Sequence, residues 1–186
     1  MRNTRAVLIA IVSISLLGGV AIGVAGQDEP ADPMAPSFFA GTVSDDWTYV
    51  TEGTQEPRPD GVVHYDGYVF SFPWESDEPR ISGTATQVTN GTDYRDGATT
   101  LAPTGLDGVV RTAFMRIVND DGAWEGPLWN LQIDDLDYFE VTAGWLTGTG
   151  SYEGLSAYVV WDVSNGAFRG HITAEGPPST PDVPAK

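Results

Sequence analysis

The chain has 186 residues, of which 26 are acidic, 9 are basic and none is cysteine, and its formal net charge is −17 at pH 7. Such an excess of negative charge excludes nucleic acid as a partner, because phosphate binding requires clustered positive charge; the lack of cysteine excludes disulfides and a lipoprotein thioether anchor. Lys186 is the only lysine, and an acidic, lysine-poor surface is typical either of a protein from a salty habitat or of an ordinary soluble exported protein.

The chain opens with a segment that predicts export. Residues 1–5 contain two arginines, and residues 6–25 are uncharged and mostly apolar, which is typical of a secretory leader. About 20 apolar residues also suffice for a membrane span, so residues 1–25 are expected to be either a cleaved signal peptide or a membrane anchor. We therefore expect a secreted or extracytoplasmic protein that contacts the membrane only through residues 6–25, if they are not cleaved.

Two polar, proline-containing segments flank the predicted body. Residues 26–36 predict a disordered spacer, and residues 176–186 predict a proline-rich disordered tail. The remaining residues, 37–175, form one domain's length of chain, which is long enough to bury a core without disulfides.

Two-residue periodicity runs through this body and predicts β-strands. The first six predicted strands cover residues 37–43, 47–51, 62–72, 81–89, 109–118 and 124–133. We expect Tyr65 and Val69 to share one face, Pro73 to end the third strand, and Asn90-Gly91 to turn the chain back after the fourth.

The residues 138–175 carry the clearest pattern, with three strands joined by glycine-marked turns. Trp145 lies on a predicted apolar face with the other odd-numbered residues from 139, while Glu140 lies on the polar face. Asn165-Gly166 predicts a two-residue hairpin turn that sets Trp161 opposite Gly170. In this register Trp161, Phe168 and Ile172 face the core.

No helical period occurs outside the leader, so the sequence predicts an all-β fold. About eight strands in a meander favour closure into a single antiparallel barrel, and a two-sheet sandwich is the alternative. The strand at 124–133 is expected to bend or bulge at Gly126-Pro127.

A glycine-rich corner stands between the last two predicted hairpins. Residues 148–155 read Gly-Thr-Gly-Ser-Tyr-Glu-Gly-Leu, and such glycine density allows the backbone to bend sharply between strands. With an alternating strand on each side, this stretch resembles the glycine corner of the allene oxide cyclase family and, more loosely, of the dirigent proteins. Over about the last quarter of the chain, the resemblance implies a small β-barrel with an apolar lumen that handles a lipid-like or phenolic compound without a cofactor. It carries over no catalytic residue.

The sequence contains no recognisable catalytic or metal-binding motif. His64 and His171 lack a metal-ligand context and are predicted to be isolated surface histidines, so we predict no metal and no cofactor. Glu125, Glu140 and Glu153 are the acids that paired-carboxylate catalysis would use, but Glu140 falls on a polar strand face and Glu153 in the glycine-rich corner, so neither is predicted to be buried.

Tryptophans and one long loop supply the remaining candidates. Trp124 and Trp129 flank the Gly126-Pro127 break and are our candidate ligand contacts at a barrel mouth, with rim or core packing as the alternative. Residues 92–107 lack a pattern, and there Tyr94, Arg95 and Leu101 form either a flap over the barrel or a polar surface excursion.

Three functions remain open, and oligomerisation is compatible with each. The first is a barrel that binds a small apolar or amphiphilic molecule, the second a cofactor-free isomerase of the allene oxide cyclase kind, and the third a structural or carbohydrate-binding surface module. An open apolar interior favours the first, and an open interior with a buried acid or tyrosine pair favours the second. A filled interior favours the third.

Overall fold

The computed structural model describes residues 32–94 and 107–179, which form ten β-strands without any α-helix among them. The strands are β1 (Ser37–Val43), β2 (Thr48–Thr51), β3 (Thr54–Pro57), β4 (Val63–Ser76), β5 (Gly83–Asp93), β6 (Gly108–Val118), β7 (Gly122–Ile133), β8 (Phe139–Gly150), β9 (Ser156–Asp162) and β10 (Ala167–Thr173). Two short 3-10 helices span Pro79–Ile81 and Val163–Asn165. The predicted all-β fold is confirmed.

All ten strands belong to one antiparallel sheet, and eight of them form a ring. The order β1-β10-β9-β8-β7-β6-β5-β4 closes because β1 pairs with β10 on one side and with the end of β4 on the other. The same edge of β4 also pairs with β2 and β3, which lie outside the ring path. Consecutive strands from β4 to β10 are therefore neighbours in the sheet.

One part of the ring interior is packed with apolar side chains. Trp74 stacks on Phe168 with ring centroids 3.8 Å apart and meets Trp161 edge-on at 5.6 Å. The exposed fractions of Trp161, Phe168 and Ile172 are 2%, 3% and 1%. The prediction that these three side chains face the core is confirmed, and their burial supplies a large part of the hydrophobic stabilisation.

The hairpin between β9 and β10 has the predicted faces but another register. Trp161 pairs with Phe168 rather than with Gly170, so the predicted two-residue turn is wrong. The loop instead contains the 3-10 helix Val163–Asn165, in which the Asp162 carboxylate accepts a hydrogen bond from the backbone N–H of Asn165. Because the register differs by two residues, each side chain keeps its predicted face.

Strand β8 turns the opposite face inward from the one predicted. Phe139 and Trp145 point away from the ring interior, and Trp145 packs against Tyr158 at 5.2 Å. The buried side chains are instead those of Glu140, Thr142 and Leu146. The prediction was wrong because alternation identifies which side chains share a face, whereas the inward face of β8 is polar at this level of the ring.

Strand β4 continues through the position where we predicted its end. Pro73 lies within the strand and pairs with Thr84. A register shift between Tyr65 and Tyr68 reverses the alternation, so these two residues, rather than Tyr65 and Val69, line the interior together.

The Asn90-Gly91 dipeptide does not form the predicted turn. Both residues lie inside β5, which continues to Asp93. The Asn90 side-chain Oδ1 accepts a hydrogen bond of 2.8 Å from the backbone N–H of Gly67, at the irregularity in β4. The dipeptide therefore supports a strand irregularity instead of reversing the chain.

Two glycine-containing features of the carboxyl half have different outcomes. β7 pairs with β6 without a register shift through Gly126 and Pro127, so no bulge occurs there; the predicted bend, the other half of that expectation, stays a prediction. The corner after β8 is confirmed as a sharp turn, because Gly150 and Gly154 have φ values of 67° and 88°, which glycine adopts without steric cost.

Several predictions fall on residues 1–31, 95–106 and 180–186, which lie outside the described residues. These are the export leader, most of the spacer, the flap residues Arg95 and Leu101, and the end of the tail. Within residues 32–94 and 107–179, no helix has the length and hydropathy that crossing a membrane requires.

Candidate functional site

One row of residues crosses six neighbouring strands at the same level of the ring interior. From β4 to β9 the paired residues are Tyr65, Gly91, Arg111, Asn130, Thr142 and Trp161. Side chains that face the same way on adjacent paired residues are within contact distance. The register therefore brings polar groups from distant parts of the chain together at one level.

Arg111 is the centre of this polar group. Its Nε donates a hydrogen bond to the Tyr65 hydroxyl, and its Nη1 donates to Asn130 Oδ1 at 2.7 Å and to Glu140 Oε1 at 2.9 Å. Its Nη2 donates to Gln132 Oε1 at 2.5 Å. Every guanidinium nitrogen thus has a partner, as a largely buried charge requires.

Glu140 supplies the opposite charge and is itself held on both oxygens. Its Oε1 also accepts a hydrogen bond of 2.8 Å from Asn130 Nδ2, and its Oε2 accepts one of 2.5 Å from the Tyr138 hydroxyl. Asn130 Nδ2 donates further to Thr142 Oγ1 at 2.7 Å. We call these residues the Arg111 network: Arg111, Tyr65, Asn130, Gln132, Tyr138, Glu140 and Thr142.

The two tyrosines of the Arg111 network are neutral at physiological pH. Burial raises the pKa of Tyr65 above its usual value, although the Arg111 charge acts in the opposite direction. Burial and the hydrogen bond to Glu140 raise the pKa of Tyr138 to about 12. Because Tyr65 accepts a hydrogen bond from Arg111, its own hydroxyl proton is available for another acceptor.

The Arg111 network forms one wall of a cavity of about 550 Å³, which we call the ring cavity. The facing wall is aromatic. Trp47, in the connection between β1 and β2, stacks on Phe72 at 4.4 Å and on Trp161 at 5.4 Å and meets Phe70 edge-on at 5.8 Å. The ring cavity therefore has a polar side and a flat apolar side, which suits an amphiphilic molecule.

Gly91 makes room for the contact between Tyr65 and Arg111. A Cβ atom at Gly91 would lie 2.4 Å from Tyr65 Cζ and 2.5 Å from its hydroxyl oxygen. Any side chain here would displace the phenol, so the absence of one is what allows Tyr65 to reach Arg111 across β5.

The histidines and acids that were considered as candidate site residues lie far apart in the structure. His64 Nδ1 lies 3.1 Å from Thr92 Oγ1, and His171 packs edge-on against Trp145 at 5.5 Å. No group of three histidines or acids that could hold a metal occurs in the described part of the chain. Glu125 lies 3.3 Å from Arg116 on the surface, so of the three candidate acids only Glu140 lies in the ring cavity.

The two tryptophans predicted to contact ligand lie elsewhere. Trp124 is buried, stacks on Tyr152 at 5.2 Å and donates a hydrogen bond of 2.6 Å from Nε1 to the Arg80 carbonyl oxygen. Trp129 has an exposed fraction of 67% and lies on the outer face of β7. Neither is among the residues that line the ring cavity.

Sequence reasoning missed the Arg111 network, although one signal was present. Along β6 the inward residues are Val109, Arg111, Ala113, Met115 and Ile117. A single arginine in an otherwise apolar face predicts a buried cation that needs an acidic partner. Which acid pairs with this arginine depends on how β6, β7 and β8 pair with one another. That pairing cannot be read from any short stretch of the sequence.

No protein-family model, curated protein or solved structure matches the chain. The class of protein is therefore defined by fold and site: an all-β protein in which a ring of antiparallel strands holds an amphiphilic cavity. A buried arginine–glutamate pair with two neutral tyrosines marks the polar side of that cavity.

Proposed function

We propose that this chain is an extracytoplasmic β-barrel that binds a small amphiphilic molecule in the ring cavity. The observation that carries the proposal is the cavity of about 550 Å³ that residues of strands β2 to β9 line. Ligand sites typically have volumes of about 300–1,000 Å³, are mostly apolar and contain a few placed polar groups. A filled interior would instead have favoured a surface module.

The distribution of polar and aromatic groups supports an amphiphile rather than a purely apolar ligand. Trp47 and Phe70 offer apolar ring faces, whereas Asn130, Glu140 and Thr142 bring polar groups to the same cavity. An entirely apolar ligand would separate these groups from water without offering them a hydrogen bond, which costs free energy in a buried site.

Native mass spectrometry of protein purified from its own host tests the proposal. We expect a co-purifying small molecule that is lost in a Val63→Phe variant, because Val63 lines the ring cavity and the larger side chain fills part of it. Val88→Phe makes the same change on an exposed residue of β5 and should retain the molecule. A ligand that survives equally in both variants, or no bound molecule in wild type, would contradict the proposal.

The Arg111 network favours a second candidate, a cofactor-free isomerase of the kind that the resemblance to allene oxide cyclases implies. Glu140 has an exposed fraction of only 7% and lies between Arg111 and Tyr138. A buried carboxylate beside neutral tyrosines combines a proton acceptor with proton donors. Supplying a fatty-acid allene oxide and analysing product chirality tests this: wild type should give one enantiomer in excess, and Glu140→Gln should remove that excess.

Export and self-association stay predictions. The exposed apolar residues of the outer face between β5 and β8 would serve self-association best: Val88, Val110, Phe114, Trp129, Leu131 and Phe139. Native mass spectrometry of the same preparation reports the oligomeric state directly.

A further inference from the structure

The turn between β7 and β8 has an unusual backbone. Asp137 and Tyr138, the last two residues of this turn, have φ values of 52° and 57°, and no other non-glycine residue in the described part of the chain has a positive φ. Aspartate tolerates this left-handed region comparatively well, whereas a bulky side chain such as tyrosine rarely adopts it. Such strain persists only where surrounding contacts enforce it, and it is often found at functional sites.

One contact explains what holds Tyr138 in place. Its hydroxyl donates a hydrogen bond of 2.5 Å to Glu140 Oε2, and a hydrogen bond to a charged acceptor is stronger than one between neutral groups. Tyr138 has an exposed fraction of 48%, and its backbone N–H reaches the Asp134 carbonyl oxygen only at 3.4 Å. The strained position of Tyr138 therefore depends mainly on its hydrogen bond to Glu140.

Glu140 does not need Tyr138 to keep its position. Its Oε1 accepts hydrogen bonds from Arg111 and Asn130, and its backbone N–H donates to Ser164 Oγ at 2.7 Å. None of these contacts involves Oε2. If the Tyr138 ring moves toward solvent, the carboxylate therefore stays in place and Oε2 loses its donor.

The group that replaces the phenol must itself be a hydrogen-bond donor, because an ionised carboxylate oxygen only accepts. Tyr138 and Glu140 both line the ring cavity, so a molecule in that cavity can reach the space that the phenol leaves. The space has the shape of a hydroxylated ring. Trp47 and Phe70 line the same cavity and offer ring faces to the rest of a planar molecule.

We propose that Tyr138 occupies the ligand's hydroxyl subsite, and that a phenolic molecule binds in the ring cavity by displacing Tyr138 and donating its own hydroxyl proton to Glu140 Oε2. The exchange replaces one hydrogen bond by another of the same kind and releases the strain at Tyr138, which favours displacement. This rests on the proposed function, since it takes the ring cavity as the ligand site. It goes beyond that function because it names the chemical class of the ligand, the atom that recognises it and the residue that it displaces.

The sign of one affinity change tests the inference. Tyr138→Gly removes the phenol, and glycine adopts the positive φ without strain. Titration calorimetry at pH 7 should show that 2-naphthol binds this variant at least about tenfold more tightly than wild type, because wild type must first open its own subsite. A tyrosine that merely formed part of the cavity wall would have the opposite effect, since its removal would weaken binding.

A second probe, 2-methoxynaphthalene, tests whether a donor is required. It has the same ring system but no hydroxyl proton. We expect it to bind Tyr138→Gly about tenfold more weakly than 2-naphthol does. Adding Glu140→Gln to this variant should reduce the preference to about twofold, because the charged acceptor is gone.

Tyr49 provides the matched control. It also lines the ring cavity and has an exposed fraction of 62%, and its ring packs against Phe70 at 4.8 Å. Tyr49→Ala enlarges the cavity without uncovering Glu140 Oε2, so it should leave the affinity for 2-naphthol unchanged or lower it. Should Tyr138→Gly not fold by circular dichroism, Tyr138→Phe decides the result: it removes only the hydroxyl and should raise the affinity for 2-naphthol about threefold.

The possible failures are distinguishable. Weaker binding of 2-naphthol by Tyr138→Gly, or an equal gain in Tyr49→Ala, would overturn the inference and leave the proposed function standing. Equal affinities of Tyr138→Gly for the two probes would show that no hydroxyl group is recognised, and the inference would again be wrong. If neither probe binds wild type or any variant, the inference fails, whereas the proposed function is decided separately by the molecule that co-purifies from the host.

Discussion

Arg111 lies on a strand whose other inward side chains are apolar, and only 19% of its side chain is exposed. A charge in such a place is tolerated only when its hydrogen-bonding capacity is met and an opposite charge is near. Glu140 meets the second condition at 2.9 Å, and the Tyr65, Asn130 and Gln132 side chains meet the first. The arginine and the glutamate should therefore depend on each other.

We expect Arg111→Met to lower the free energy of unfolding by roughly 3–5 kcal/mol, because it leaves Glu140 buried without its counter-charge. Adding Glu140→Gln should recover part of that loss, so that the double variant costs less than the sum of the two single variants. Urea denaturation at pH 7 measures these differences.

Arg116 provides the matched control for this cycle. It lies on the outward face of the same strand and pairs with Glu125 at 3.3 Å, where solvent screens the interaction. Arg116→Met should therefore change the free energy of unfolding by less than about 1 kcal/mol. An Arg111→Met variant as stable as Arg116→Met would show that the buried pair is not coupled as described.

Gly91 permits a second prediction at the residue scale. Gly91→Ala should destabilise the protein by roughly 1–3 kcal/mol, because the new Cβ would overlap the Tyr65 ring and break its hydrogen bond with Arg111. In a Tyr65→Ala background the same substitution should cost much less, since the clash is gone. Equal losses in the two backgrounds, measured by thermal unfolding, would exclude the steric explanation.

At this scale the sequence predicts less about function than about packing. It indicates that Trp161 is buried, because a row of apolar side chains shares its face. It does not indicate that Gly91 leaves room for the Tyr65 ring, since these residues become neighbours only when β4 and β5 pair across an irregular register. The Asn90-Gly91 dipeptide also has a strong local preference for a turn, which the strand pairing overrides.

At the scale of elements, β8 and the β9–β10 hairpin illustrate what periodicity determines. In both, the sets of residues that share a face were predicted correctly. The prediction of which face lies inward was right for the strand of Trp161 and wrong for the strand of Glu140. The reason is that the ring interior changes from apolar to polar along its length. A hydrophobicity rule assigns the apolar face to the interior everywhere and so fails at the polar level of the ring, where the Arg111 network lies.

The short 3-10 helix Pro79–Ile81 is hydrogen-bonded through Arg80 to the segment that precedes β1 and to the first residue of β1. Arg80 donates hydrogen bonds to Glu78 and, through Nη1, to the carbonyl oxygens of Pro33 and Ala35 at 2.7 Å and 2.9 Å. The hydrogen bond from Arg80 is the main reason that the pKa of Glu78 falls to about 2. Glu78 also accepts from the Ser37 hydroxyl at 2.7 Å, so it links β1 to this helix.

The lowered pKa of Glu78 predicts an acid-sensitive contribution to stability. A carboxyl whose pKa is depressed in the folded state stabilises that state above its ordinary pKa of 4.5, and the stabilisation is lost as pH falls toward 2. Glu78→Gln should therefore cost roughly 1–3 kcal/mol at pH 7 and almost nothing near pH 2. Denaturant unfolding across this range measures the difference, and Glu75→Gln, at an exposed position of β4, should show little dependence.

At the scale of the whole molecule, the all-β class follows from period-two patterning and turn residues, and adjacent strands from β4 to β10 pair in chain order. The closure of the ring is different. It depends on β1 pairing with both β10 and β4, contacts between residues far apart in the chain that leave no local mark on the sequence. The ring cavity was not predictable in its residues either, because its lining comes from strands β2 to β9 and the connections beside them.

The net charge of −17 at pH 7 supports one prediction for the whole molecule. So many like charges on a compact chain repel one another and favour the unfolded state. Sodium chloride shortens the Debye length from about 10 Å at 0.1 M to about 3 Å at 1 M and so weakens this repulsion. The melting temperature at pH 7 should rise by roughly 5 °C or more over that range.

At pH 4.1, the isoelectric point, the same salt series should have little effect, because little net charge remains to be screened. An equal rise at both pH values would assign the effect to general salting-out, and a fall at pH 7 would show that salt-sensitive attractions such as the pair of Arg80 and Glu78 outweigh the repulsion.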